Sequence, residues 1–479
     1  MRLTAQILSE DEQNRIHHMS LRILEEVGIR FHGDRAPKVL QEHGIKINPE
    51  DKIAKIPPEI VEQALKSTPK SFILGARNPT YNFPLPAANT RYGLDGTAAF
   101  ALDFSTGERR YGTSKDIENA MRIFQQMDMG VMAWAPTCAE DIPANIRALY
   151  EFLSMARFCS KHGEHELHRV EQVPYLEEAL IAIMGSEDAL RKSNAYSLVY
   201  CPVAPLTHDG QMLDAYLELG EVGLPVLSIP MPVNGTTGPA SLYSNIALAN
   251  AEMLSSLVIF ELAHPGRPMI FSSSTATIDF RSGAYLAGVP EMALQTAGLA
   301  VMGKYYGVPT SGAGFTSDAK QAGPEAVIEK LITTLPAVLI GTDILIGFGE
   351  IESDQLLILE QIVVDNEIAH LCQRLAEGVD CSAEKDLFED IARIGPGGHY
   401  LAARSTCKAA RSSEFLTTQL MDHHAYEAWI ELGKPSMYGN ARKKVEEILA
   451  QPLVDPLPEE VEAKVDQILR RAERELGDN

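Results

Sequence analysis

The chain has 479 residues, 45% of them hydrophobic, and carries 65 acidic against 42 basic side chains, a formal charge of −23 at pH 7. That apolar content supplies core for one large domain or two to three ordinary ones, while the acidic excess argues against nucleic acid or an anionic membrane as the main partner. No stretch approaches the ~20 apolar residues of a membrane span and none has secretory form, so a cytoplasmic protein is expected.

Residues 1–85 read as a helical lead-in. Ser9 is placed to cap a helix that runs through Leu24 and Val27 and stops near Gly28, and Pro57-Pro58 opens another. From Arg91 the texture changes to short apolar runs ending in Gly, Pro, Ser or Thr, separated by helical stretches. In Ser114 to Met127, for example, Ile117, Met121 and Phe124 share a face. Seven runs read as strands: Gly130 to Ala135, Ala156 to Ser160, Tyr196 to Tyr200, Pro225 to Ile229, Pro268 to Ser272, Val308 to Gly312 and Asp343 to Gly347. An eighth is not evident. Buried runs alternating with helices predict parallel strands covered by helices, and their number fits a TIM-type (β/α)8 barrel over residues 86–435 better than an open sheet. Beyond it, residues 436–479 read as a helical extension: Ala441 to Leu449, a proline break, and a charged helix from Glu459 to Leu476.

Catalytic groups in such a barrel gather on the loops after the strands. Those positions hold aromatic, carboxylate, hydroxyl and thioether side chains, with no GxxxxGK[ST] loop and no HExxH pair. Gly312-Ala313-Gly314 starts a dinucleotide fingerprint that the next residues do not complete, so neither NAD chemistry nor phosphoryl transfer is expected. The six cysteines form no CxxC pair and read as free thiols. His162, His165 and His168, interleaved with Glu164 and Glu166, are the densest group of metal-type ligands, although a pocket-lining or surface role is the simpler reading and no metal site is expected. His423 and His424 read as packing residues in a late helical segment.

The stretch IPMPVNGTTGPASLYSNIALANAEMLSSLVIFELAHPGRP from Ile229 to Pro268 resembles the trimethylamine methyltransferase family. So do RSGAYLAGVPEMAL at Arg281 to Leu294, PTSGAGFTSDAKQAGPEAVIEK at Pro309 to Lys330, and GPGGHYL at Gly395 to Leu401, in the same order. The resemblance implies a TIM-type barrel that passes a methyl group from a methylated amine to Co(I) of a corrinoid (cobalamin), free or on a cognate corrinoid protein. Every position here is a standard residue, which is similar to the branch without pyrrolysine, whose substrates are small quaternary amines. Glycine betaine, giving dimethylglycine, is the first expectation. Arg404-Ser405-Thr406 departs from that family, where His-Thr is expected.

A quaternary ammonium donates no hydrogen bond, so its pocket is expected to use aromatic faces, each worth roughly 0.5–2 kcal/mol, and carboxylates. The substrate-binding candidates are Tyr92, Trp134, Tyr200, Phe315 and Phe348, with Asp95, Glu164 and Glu350 as charge partners. For a betaine carboxylate the candidate donors are His165, Arg281, Lys320 and the amides of residues 312–316. Methyl transfer needs no general base, so no catalytic residue is singled out. A homo-oligomer is expected on general grounds. The competing readings are a metal-assisted barrel hydrolase using Glu164, His165 and another strand-end carboxylate, and a betaine-binding protein without turnover.

Overall fold

A computed structural model, which describes residues 3–477, shows eight short parallel strands closed into a barrel with a helix after each. The strands are β1 (Arg91–Leu94), β2 (Gly130–Trp134), β3 (His162–His165), β4 (Tyr196–Tyr200), β5 (Val226–Ser228), β6 (Met269–Phe271), β7 (Ser311–Ala313) and β8 (Ile344–Phe348). Their helices are α1 (Ser114–Gln125), α2 (Arg147–Phe158), α3 (Val173–Met184), α4 (Gly210–Glu218), α5 (Leu242–Ala263), α6 (Pro290–Tyr305), α7 (Pro324–Ile340) and α8 (Leu359–Glu377). Spatial order follows chain order. β8 pairs back onto β1, and β6 meets β7 through the Phe271–Thr310 bridge, so the wall has no free edge.

Two strand predictions are corrected. Ala156 to Ser160 is the end of α2 and the turn after it: Leu149, Phe152, Leu153 and Ala156 recur at helical spacing and are buried, so the run belongs to an amphipathic helix. The third strand is His162–His165, whose four residues are all buried although three are polar. The missing eighth strand is β1, whose four residues include an arginine and a glycine and so form no apolar run.

The predicted cap at Ser9 is a full capping box with Glu12, and the helix it starts, Glu10–Arg22, packs on α5 with Ser20 Oγ donating to Ala247 O at 2.8 Å. Pro58–Ser67 packs on the same helix. α5 is long and apolar enough to cross a membrane, with mean hydropathy 1.6, but 89% of its apolar window is buried inside the fold. At the other end of the chain Met437–Leu449 packs against α8 and α1, and Glu459–Leu476 against α3. Between α8 and Met437 the segment 378–435 has three short helices with no buried residue; only Ala403 and Leu420 are buried in the whole segment.

Candidate functional site

The C-terminal ends of the strands surround a cavity of about 650 Å³. Asp95 and Gly96 follow β1, Trp134 ends β2, Glu166 follows β3, Cys201 follows β4, and Ile229 and Met231 follow β5. Ser274, Tyr285, Lys320, Ile346 and the turn Glu352 to Gln355 complete the lining. Four of these side chains are acidic, two are large aromatics and one is a lysine. A larger cleft of about 810 Å³, lined by His32, Arg169, Asp209 and Asp214 among others, contains none of the residues that end the strands.

Side chains alternate across each strand, and this sorts the sequence candidates. Asp95 lies on the inner face, 7% exposed, with the Gly96 amide donating to Oδ1 at 3.0 Å. Burial raises its pKa to about 6, against the opposing pull of that amide and of the Lys330 ammonium. Trp134 is held beneath the Gly96 backbone, and its indole Nε1 donates to His165 Nδ1 at 3.1 Å. Since Nδ1 accepts, Nε2 carries the proton and donates to Glu151 Oε2 on α2, also at 3.1 Å, while Glu151 Oε1 accepts from the Ala139 amide. His165 therefore orients the indole from behind.

Glu164 points into the barrel below the cavity. It is fully buried, and burial raises its pKa to about 8, so it is neutral at pH 7. The neutral acid donates to Ser197 Oγ at 3.3 Å, Ser197 donates to His162 Nε2 at 2.8 Å, and His162 Nδ1 donates to Gly75 O at 2.8 Å. Burial lowers the His162 pKa to about 4, so this chain is uncharged at pH 7. Glu164 and His165 thus face opposite sides of β3 and do not converge on one ion as a hydrolase would need. His168 lies beyond the strand with a side chain 54% exposed, so the three histidines do not meet either.

The remaining aromatic candidates lie outside the cavity lining. Tyr92, Phe315 and Phe348 form a buried cluster with ring centroids 4.8–5.6 Å apart. Phe348 also meets Phe124 on α1 edge-on, and Lys330 on α7 sits over the Phe315 ring, so the cluster packs between wall and helices. Tyr200 donates to His208 Nδ1 at 2.7 Å and meets Phe260 of α5 edge-on. Among the carboxylate donors, Lys320 borders the cavity and Arg281 does not, being exposed. The amides of Gly314 and Phe315 are taken by Ile346 O and Thr334 Oγ1.

Glu350 is fully buried just behind the lining, and carboxylate oxygens of Asp95, Glu350 and Asp354 all lie within 4.8 Å of one another. Burial and the Asp95 carboxylate push the Glu350 pKa well up. A buried ion pair fixes the end of β8 from behind. Lys330 Nζ is 3.0 Å from Asp365 Oδ2 and donates to Gly347 O, while the Gly349 amide donates to the same Asp365 oxygen. The turn that carries Asp354 is held by Arg109, which pairs with Glu352 through both guanidinium donors, and by Ser353 Oγ, which donates to Asp318. Asp318 in turn accepts from the Ala287 and Gly288 amides beside Tyr285. Tyr285, Glu352 and Asp354 were missed by sequence reasoning because they sit on irregular loops. Three successive residues there, Glu352, Ser353 and Asp354, have positive φ, which no residue type in that run announces.

Known proteins resemble this one along its length. The family model for trimethylamine methyltransferase matches residues 2–477. A glycine betaine methyltransferase of Desulfitobacterium hafniense is 30% identical over 474 residues, covering 98% of each chain. A trimethylamine methyltransferase of Methanosarcina barkeri is 27% identical over 475 residues, covering 98% of this chain and 95% of its own. The fold is shared with the crystal structure of the Methanosarcina barkeri monomethylamine methyltransferase, at TM-score 0.51 and 12% identity over 95% of this chain and 89% of that one.

Proposed function

The chain belongs to the trimethylamine methyltransferase family, and from that premise we propose that it is a cytoplasmic enzyme that takes a methyl group from a small quaternary amine, glycine betaine first, and gives it to Co(I) of a corrinoid presented by a partner protein. The observation that carries the reading is the cavity itself: closed below by the barrel, open at the strand ends, acidic, and bordered by Trp134 and Tyr285. A permanent cation is attracted by Asp95 and Glu166 and by an aromatic face, and asks for no hydrogen-bond acceptor.

Reduced cobalt supplies the nucleophile. A quaternary nitrogen leaves as a neutral amine, so the chain's own residues need not protonate or otherwise activate it, and no pyrrolysine is called for. Their task is to hold nitrogen and methyl carbon in line with the mouth and to keep water out. Trp134, locked by His165 and Glu151, gives the cavity a rigid wall. Ile229, Met231 and Ile346 supply apolar contact for the methyl groups. The corrin ring is too broad for the cavity, so the partner docks over the opening.

The test is a panel of quaternary and tertiary amines incubated with the protein and reduced cobalamin, following the absorbance change from Co(I) to methyl-Co(III). Glycine betaine and related quaternary amines should drive the change and trimethylamine should not. Turnover of trimethylamine alone would overturn the quaternary assignment.

A further inference from the structure

We propose that Asp95, Glu350 and Asp354 hold a divalent cation of the calcium type at the floor of the cavity, and that this ion receives the carboxylate of a zwitterionic substrate. The second half rests on the methyltransferase reading. The first rests on geometry alone.

The three carboxylates come from three places in the chain: the end of β1, the end of β8 and the turn that follows it. Each offers an oxygen within 4.8 Å of the other two. Carboxylate oxygens that close together can share one hard divalent cation, and a set of carboxylates from loops of irregular path suits the flexible coordination of Ca²⁺ better than the strict octahedron of Mg²⁺. The donors are all hard oxygens, which disfavours zinc or copper.

Glu350 is the independent sign of a ligand. It is 0% exposed, and neither carboxylate oxygen makes a hydrogen bond of ordinary geometry; the Ala98 amide, which acts on it weakly, donates to Pro136 O at 3.3 Å. A buried carboxylate without partners is costly. The neighbouring cation, Lys330, is already engaged by Asp365 and Gly347 O. Glu350 also lies behind the lining, where a trimethylammonium group does not reach but a small ion does. An ion there also resolves a conflict in the proposed substrate. The acidic lining that attracts its ammonium end repels its carboxylate end, and Lys320 is the single basic residue on that lining. A cation with coordination positions facing the cavity reverses the sign at one point and leaves the ammonium end toward Trp134 and Glu166.

Terbium tests this on the full-length protein, since Tb³⁺ takes calcium sites and glows when a nearby indole is excited. Trp134 borders the same cavity, and the only other tryptophan, Trp429, lies in the 378–435 segment. Titration should give saturable emission that Ca²⁺ reverses. Trp134→Phe should lose the emission yet still bind Ca²⁺ by calorimetry. Asp354→Asn should lose both, with Glu350→Gln as the second variant should the first not fold. No saturable emission and no calorimetric Ca²⁺ binding below about 1 mM would overturn the site, as would unchanged binding in both carboxylate variants. In turnover, chelation should raise KM for glycine betaine at least tenfold and spare tetramethylammonium, which has no carboxylate; equal effects on the two overturn the carboxylate role. A protein that binds terbium but methylates no cobalt refutes the methyltransferase reading and leaves the ion site standing.

Discussion

Gly96 has no side chain because the indole of Trp134 occupies the space: a Cβ there would stand 2.5 Å from the indole Cε2. In Gly96→Ala the ring has to shift, which strains its bond to His165 and narrows the cavity. Overpacking of this kind costs about 1–3 kcal/mol. Steady-state kinetics should show KM for the amine rising about tenfold or more, and the indole emission should change. Glu164 gives a test of opposite sign. Its folded pKa of about 8 lies above the ordinary 4.5, so the stability it contributes is complete below about pH 4.5 and is lost as pH rises through 8. Gln cannot ionise. Glu164→Gln should therefore match the wild type in thermal unfolding near pH 4.5 and exceed it near pH 8, by on the order of a few kcal/mol. Of the residues singled out in the sequence, Asp95 and Trp134 border the cavity because a strand end delivers them there, and Lys320 reaches it from a loop. Tyr92, Tyr200 and Phe348 are also on strands or at their ends, but on the outer face, and without knowledge of register a sequence does not say which face is which.

The end of β8 is set from outside the barrel by Lys330 of α7 and Asp365 of α8, both fully buried. Removing one partner leaves the other as an uncompensated charge, so Lys330→Met should lower stability by about 3–5 kcal/mol in urea unfolding, and Lys330→Met with Asp365→Leu should recover most of the loss. The same strand shows what was legible at this level. Its apolar run was found because a barrel strand is buried on both faces, and the runs of β2, β4, β5 and β6 were found for the same reason. β3 was not. His162 and Glu164 fill the barrel interior with a hydrogen-bonded chain where most strands place apolar groups, so the strand has no hydrophobic signature. β1 failed because Arg91-Tyr92-Gly93-Leu94 opens on a charge and is broken by a glycine, which leaves no apolar run.

For the whole molecule, the charge of −23 and the acidic cavity point the same way: the protein's field favours a small cation and offers little to polyanions. Fold class was readable from the chain because seven apparent strand runs alternating with helices, six of them real, leave few closed solutions. The pocket was less so, since its lining is drawn from seven strand ends and from loops, such as Glu352 to Gln355, whose path is fixed by partners far away in sequence, Arg109 and Asp318.

The stretch between α8 and Met437 differs from everything around it. Its helices Phe388–Ile394, Arg404–Ala409 and Tyr426–Glu431 are each about two turns or less and bury no side chain. Helices that short hold their shape only when something packs on them, so in dilute solution this strap should open on its own while the barrel stays shut. Brief digestion with trypsin should make its first cuts at Lys385, Arg393, Arg404, Lys408 or Arg411, all exposed, and mass spectrometry should find the fragment that carries the barrel intact long after the strap has been nicked.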